Sequence, residues 1–471
     1  MPNYHAVVAR IFLPILVGST SLRAETITWT GGAGDGEWAT AANWDLARVP
    51  AGGDDVVIAD PLGTVIVTYR RGATSINSLT CDAAFIFTTT TGLPARLEVA
   101  SSALFSSNLT VYGGTLTGAG KITVHGLFHW AGGTITSPTP ASPVTVAGTL
   151  VMSSSVQKAL GRRLVLEGGA SGSWSGLGVL SVSRQSVIEI RAGAIFELLN
   201  DVNIFETPGV GAASLVNAGT LRKRGGTGAS TLDVFVDNAG VFRLDRGVAS
   251  ITHGFRQTAG ELLQSGGRVR CESLLSLEGG ALRGVGTVEA GISNTGATLR
   301  PGLGDGLGPA VGALNVAGPY AQSVDGLLEI EFDQSGESIV HDVVTFDELA
   351  VIDGQVALRF LAAPPLSGSF IVATAAPLVG DAREVETYCL EPAADVVIDL
   401  TAAEAIVTFT DETCAADLDG DGQVTLQDLA RFLAGFGLTD ASRGMGDLDG
   451  DCDIDLADLV LLLSAFGSGC P

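Results

Sequence analysis

The sequence predicts a mainly β chain, with a solenoid of stacked coils over most of its length and a small helical tail. Three observations carry that prediction. Short apolar or alternating runs such as KITVHGLF, RLVLEG, SVIEI and LDVFV are separated by Gly, Asn, Ser and Thr, the pattern of strands joined by tight turns. A loose phrase, glycine then Thr, Ala, Val or Glu then an apolar residue, recurs with its glycine at Gly219, Gly240, Gly260 and Gly280, intervals of 21, 20 and 20 residues. A period of about twenty in a strand-rich chain is one solenoid coil. Finally, an aspartate-rich loop occurs twice near the C-terminus, DLDGDGQVTLQD from Asp417 and DLDGDCDIDLAD from Asp447, each followed by apolar residues at helical spacing.

Each coil of such a chain carries inward residues that it cannot bury alone. Stacking pairs every backbone group with the coils above and below and makes one continuous core. The glycines are expected where the chain turns a corner or where backbones approach closely. The parts are 1–24 as a leader, 25–60 as an N-terminal β cap, 61–318 as the coils, 319–410 as a C-terminal β region, and 411–471 as the helical tail. In the cap, Trp29, Trp38 and Trp44 fall within sixteen residues. They suit either a platform for sugar rings or a cover over the open end of the solenoid, and the cover is the expectation.

The 471 residues carry 26 Lys and Arg against 51 Asp and Glu, a net charge of −25, which disfavours nucleic acid and anionic membranes as partners. Residues 411–471 hold 13 of the acids and only Arg431 and Arg443, a net of −11. The opening MPNYHAVVARIFLPILVGSTSLRA has Arg10, an apolar run from Ile11 to Gly18 and a small-residue stretch ending at Ala24, which reads as a secretory signal. A membrane anchor needs about 20 apolar residues. A location outside the cell, secreted or at its surface, is expected, and six cysteines suit that compartment. Cys389, Cys414, Cys452 and Cys470 cluster toward the end, while Cys81 and Cys271 are either two buried thiols or one bridge; spacing does not assign the pairs.

The coil sequence resembles the right-handed parallel β-helix of bacterial autotransporter passengers. The segment ATLRPGLGDGLGPAVGALNVAGPYAQSVDGLLEIEFDQSGE is similar to the run that ends their coils. The resemblance covers about residues 100–360 and implies a surface protein. The sequence has no following membrane barrel, so self-secretion is not expected.

Catalytic signatures are absent: no HExxH, GxSxG or GxxxxGK[ST] pattern occurs. His125 and His129 have no carboxylate or cysteine beside them. Residues 101–230 hold five carboxylates, Glu167, Glu189, Glu197, Asp201 and Glu206, with no adjacent pair. In LLEIEFD, period two puts Glu329, Glu331 and Asp333 on one strand face, most simply a wet face. Arg222-Lys223-Arg224 reads as a solvated turn.

The paired loops carry the clearest chemistry. Asp417, Asp419 and Asp421 stand at positions 1, 3 and 5 of a twelve-residue loop, with Gln423 at 7, Thr425 at 9 and Asp428 at 12. Calcium takes six to eight hard oxygens at about 2.3–2.6 Å, and this spacing wraps oxygens around one ion, with a carbonyl at 7 and a water at 9. Asp447, Asp449, Asp451, Asp453, Asp455 and Asp458 repeat the register, Asp453 offering its carbonyl. Two calcium ions are expected. The apolar stripes that follow are Leu429, Phe432, Leu433 and Phe436, then Leu459, Leu462, Leu463 and Phe466. At an offset of thirty, 11 of 21 positions are identical from Asp417 and Asp447 onward.

This duplicated loop-helix unit, with aspartate at position 12, resembles the type I dockerin module over about 414–470. The resemblance implies docking onto a cohesin-like protein receptor. The positions that usually carry recognition, often Ser-Thr, are Leu426-Gln427 and Leu456-Ala457, which puts a standard cohesin partner in doubt. Cys452 replaces the loop's usual glycine; the expectation is a disulfide from Cys452 to Cys414 or Cys470, against a free thiol and a weaker second site. The sequence thus points to a secreted, non-catalytic surface or matrix protein with a calcium-dependent docking tail, possessing at most contact with extracellular polysaccharide. The alternative is a dockerin-bearing polysaccharide lyase or glycoside hydrolase.

Overall fold

The computed structural model describes residues 25–90, 92–183, 185–209, 211–304, 310–333, 339–360, 368–381, 385–387, 394–411, 415–439, 441, 443–449 and 453–469. The expected leader, the cysteines Cys389, Cys414, Cys452 and Cys470, and Asp451 lie outside those residues.

The body is a parallel β-solenoid whose coils each contribute three short strands, one to each of three faces. One coil runs Leu127–Trp130, Gly133–Thr136 and Pro143–Val146. The next runs Thr149–Met152, Lys158–Gly161 and Arg163–Leu166. Successive coils pair in parallel register, Leu127 with Thr149, Gly133 with Lys158 and Pro143 with Arg163. Alternate residues point inward, so a single column on the first face stacks Phe128, Leu150, Gly172, Phe196, Leu221, Phe242, Leu262, Leu282 and Leu299. Burying each of the larger side chains contributes roughly 1.5–3 kcal/mol. Gly172 is the exception, and Phe196 and Leu166 fill the space a side chain there would take.

The twenty-residue phrase is the corner between the third and first faces. Asn217, Asn238 and Gln257 end consecutive third-face strands, fully buried and in register. Asn217 Nδ2 donates to Asn238 Oδ1 (2.7 Å), and Asn238 Nδ2 donates to Gln257 Oε1 (3.2 Å) and to the carbonyls of Gly240 and Glu261. The amides thus add side-chain donors at the corner, where the Gly240 carbonyl also accepts Glu261 N–H (2.8 Å). The glycine that follows stacks on its counterpart: a methyl built on Gly240 would collide with the Gly219 carbonyl, and one on Gly260 with that of Gly240.

At the N-terminal end, Trp38 and Trp44 are buried and Trp29 nearly so, packed edge to face with one another and against Tyr69 and Phe85. No broad indole face is open for a sugar, and the cluster covers the core. The segment is also part of the solenoid, because Thr26–Thr28 pairs with Asp55–Ile58, which pairs with Gly72–Cys81. At the other end the second face continues through Val343–Phe346 to Gly368–Thr374. It closes with the antiparallel strands Glu404–Asp411 and Ala394–Leu400.

Two expectations are corrected. Lys223 is no part of a solvated turn: it ends the strand Thr220–Lys223 pointing inward, fully buried, its ammonium on Asp201 (3.0 Å) and the Gly225 carbonyl (3.0 Å). Period two buries the middle member of the basic triplet and leaves its neighbours outside. Nor is the face of Leu327–Asp333 wet: Glu331 is buried with Arg300 at 2.8 Å, and Glu329 lies 3.5 Å from the same guanidinium. Arg359 approaches both acids from the next coil. Among the described residues, no helix is long and apolar enough to cross a membrane.

Candidate metal centre

The tail has its own core: Ala416, Leu418, Val424, Phe432, Ala441, Leu448, Ile454 and Leu462. Three pairs in it, Leu418 and Leu448, Val424 and Ile454, Phe432 and Leu462, are thirty residues apart, so each unit supplies the same three positions. The units are also cross-linked through their backbones. Val424 N–H donates to Ser468 O (3.1 Å) and Gly467 N–H to Val424 O (2.9 Å). In the mirror arrangement, Ile454 N–H donates to Leu438 O (3.0 Å) and Gly437 N–H to Ile454 O (2.8 Å).

The first loop curls around its first aspartate. Asp417 Oδ1 accepts the N–H groups of Gly420 (2.8 Å) and Asp421 (3.1 Å), and Oδ2 accepts that of Gly422 (2.7 Å). Gly422 and Gly420 have positive φ, which the sharp bend requires. The curl brings carboxylate oxygens of Asp417, Asp419 and Asp421 within 4.8 Å of one another. In the second loop Asp447, Asp449 and Asp458 converge to the same degree, with Asp447 and Asp458 fully buried. The carboxylates of Asp453, Asp455 and Asp458 also gather within 4.8 Å of one another. Gln423 is exposed and bridges through its backbone to Gly469.

The position-12 aspartates also hold the loops to their helices, Leu426–Gly435 and Leu456–Ala465. Asp428 Oδ1 accepts Asp419 N–H (3.0 Å) and Oδ2 accepts Thr425 N–H (2.7 Å), while Thr425 Oγ1 accepts Gln427 N–H (3.2 Å). Asp458 does the same for Leu448, Asp449 and Asp455, and Asp455 caps Ala457. Thr425 and Asp455 are therefore helix caps, a role the sequence reading passed over although TLQD and DLAD carry the capping-box spacing. Burial pushes Asp428 up, but the backbone donors of Thr425, Asp419 and Leu418 outweigh it and hold it below the ordinary carboxylate range. Asp419 is raised, first by desolvation and then by the charges of Asp421 and Asp428. Hard oxygen donors crowded at this spacing fit a calcium ion.

No protein-family model matches the chain, and no curated protein matches it.

The helical stripes divide. Phe432 and Leu462 are buried and Leu429 and Leu459 partly so, but Leu433, Phe436, Leu463 and Phe466 face outward. Within the described tail, the core takes one apolar row from each helix. Elsewhere, Cys81 and Cys271 are separate buried thiols, so no bridge joins them, and burial pushes the Cys81 thiol up to about 12. His125 is exposed, and His129 meets Ser153 Oγ (2.7 Å). Several carboxylates on the coils are tied to arginines, Glu189 with Arg163 and Arg191, Asp245 with Arg222 and Arg243, Glu289 with Arg268 and Arg270, whereas Glu206 (3.6 Å) and Asp233 (3.2 Å) meet at His253.

Proposed function

We propose that the chain is an extracellular, non-catalytic β-solenoid that is held to a protein partner by a C-terminal module folded around two calcium ions. The observation that carries this reading is the pair of aspartate loops, each converging carboxylates at the mouth of a helix, the second of them apolar on its outer side. Calcium, when bound, would offset the mutual repulsion of those carboxylates. The chain's own residues do the rest. Asp428 and Asp458 anchor loop to helix, Val424 and Ile454 join the units, and the outward apolar side chains of Leu456–Ala465 offer a contact surface.

A non-catalytic body is supported by the ion pairing on the coils, where Glu189, Asp245 and Glu289 are each held between two arginines, although Glu206 and Asp233 converge on His253 instead. Calcium titration of the protein, followed by helix content and calorimetry with magnesium as control, tests the proposal. Saturable binding near two ions per chain with a gain of helix is expected. Helix content indifferent to calcium overturns it.

A further inference from the structure

The two loop-helix units form an internal comparison. Both fold with apolar inward residues at the same positions, yet their outward residues differ in character. At exposed positions thirty apart, Gln427 is matched by Ala457, Ala430 by Val460 and Arg431 by Leu461. The first unit shows that the fold does not require apolar side chains there. In the second helix only Asp458 and Leu462 are buried. Leu456 is 67% exposed, Val460 65% and Leu463 51%, with Leu461 and Phe466 also outside. The one outward polar side chain, Ser464, donates back to the Leu461 carbonyl (2.7 Å). A helix apolar on nearly every side is normally covered.

Charge selects the cover. The tail carries −11 and the remainder of the chain −25 + 11 = −14. A second tail, the solenoid itself and an anionic membrane would each meet it with like charge. We infer that the outer face of Leu456–Ala465 is the contact surface of the tail, and that its partner is a protein groove lined by apolar side chains and rimmed by lysine or arginine. This rests on the docking reading above. The apolar floor covers Leu456, Val460 and Leu463, and the basic rim faces the aspartate loops.

A random-peptide display library selected on the full chain in calcium tests it. The control is the triple variant Ala457→Gln, Val460→Ala, Leu461→Arg, which installs residues the first helix already carries. Enriched peptides should combine apolar anchors with Lys or Arg flanks. Their binding should weaken with salt, fall at least about tenfold on the triple variant, and be unchanged by Leu433→Ser in the first helix. Binding lost only with Leu433→Ser overturns the assignment while the docking reading survives. Peptides without basic flanks, no enrichment over the triple variant, or self-association in sedimentation that the triple variant disperses, each overturn it too. A tail that ignores calcium removes the docking reading itself.

Discussion

Val424 and Ile454, thirty residues apart, each pair through their backbones with the segment that follows the other unit's helix. Neither loop is complete without its counterpart, and both side chains are fully buried in the shared core. The units should therefore fold together or not at all. Ile454→Ala should cost about 2–5 kcal/mol, enough to unfold so small a core. Loss of the calcium-induced helix signal from both units, rather than half of it, is the expected reading in circular dichroism.

The loop aspartates divide into those that bind backbone and those that face outward. Asp428 accepts two N–H groups from inside the loop, whereas Asp421 is exposed and accepts only that of Gln423. Asp428→Ala should therefore abolish calcium binding at the first loop and destabilise its helix by about 1 kcal/mol or more through loss of the capping box. Asp421→Ala should weaken calcium binding at that loop and leave the calcium-free module's melting unchanged. Calorimetric titration and melting of the two variants side by side separate the roles.

The corner column sets how closely coils can stack. A Cβ at Gly240 meets the carbonyl of Gly219 and the backbone of Ala218, and neither can move without parting the ladder. Gly240→Ala should destabilise the solenoid by roughly 1–3 kcal/mol or more. Gly52, which has nothing within 4 Å of such a carbon, is the matched control. Thermal melts of the two variants should differ in that order.

Asn238 has one acceptor of its own and three donated contacts to account for. Asn238→Leu would keep the volume and take the amide donor from the Gln257 side-chain oxygen and the Glu261 carbonyl, while the Gly240 carbonyl keeps the Glu261 N–H. Each buried group left unsatisfied costs about 1–3 kcal/mol. The same column accepts leucine at Leu277, between Gln257 and Asn294, so shape alone is no obstacle. A fall in melting temperature with unchanged β content is expected, and hydrogen exchange should localise the loss to the corner at residues 238–241.

Most of the architecture was legible because a solenoid repeats its grammar. The spacing of Gly219, Gly240 and Gly260 announced the coil, and period-two alternation announced which residues point inward. The reading failed where a charged residue followed that alternation into the core. Lys223 looked exposed by its chemistry, yet its place in the strand buries it, and the distant Asp201 that receives it was invisible in sequence. Glu329 and Glu331 failed for the same reason, since Arg300 and Arg359 reach them only from neighbouring coils. In the tail, the twelve-residue spacing located the aspartates, but helical periodicity overstated the core. It marks a face as apolar without saying whether Leu433 or Phe436 is covered.

Asp342 is a buried carboxyl that joins strands at the C-terminal end of the coils. Its Oδ1 accepts Gly312 N–H (2.7 Å) and its Oδ2 accepts Glu331 N–H (2.9 Å). Burial pushes it up to about 8; these two donors and Arg300 pull it down only in part, and the charge of Glu331 adds to the rise. The folded state therefore keeps a proton that the unfolded chain releases near 3.8. Stability from this group is full below that value and is lost as pH rises toward about 8, because the unfolded state is then favoured by ionisation. Asp342→Asn removes the titration and one of the two acceptors. It should lower the melting temperature at pH 5 but flatten its decline between pH 5 and 8. A variant whose decline matches the parent's would place the pH dependence in other groups.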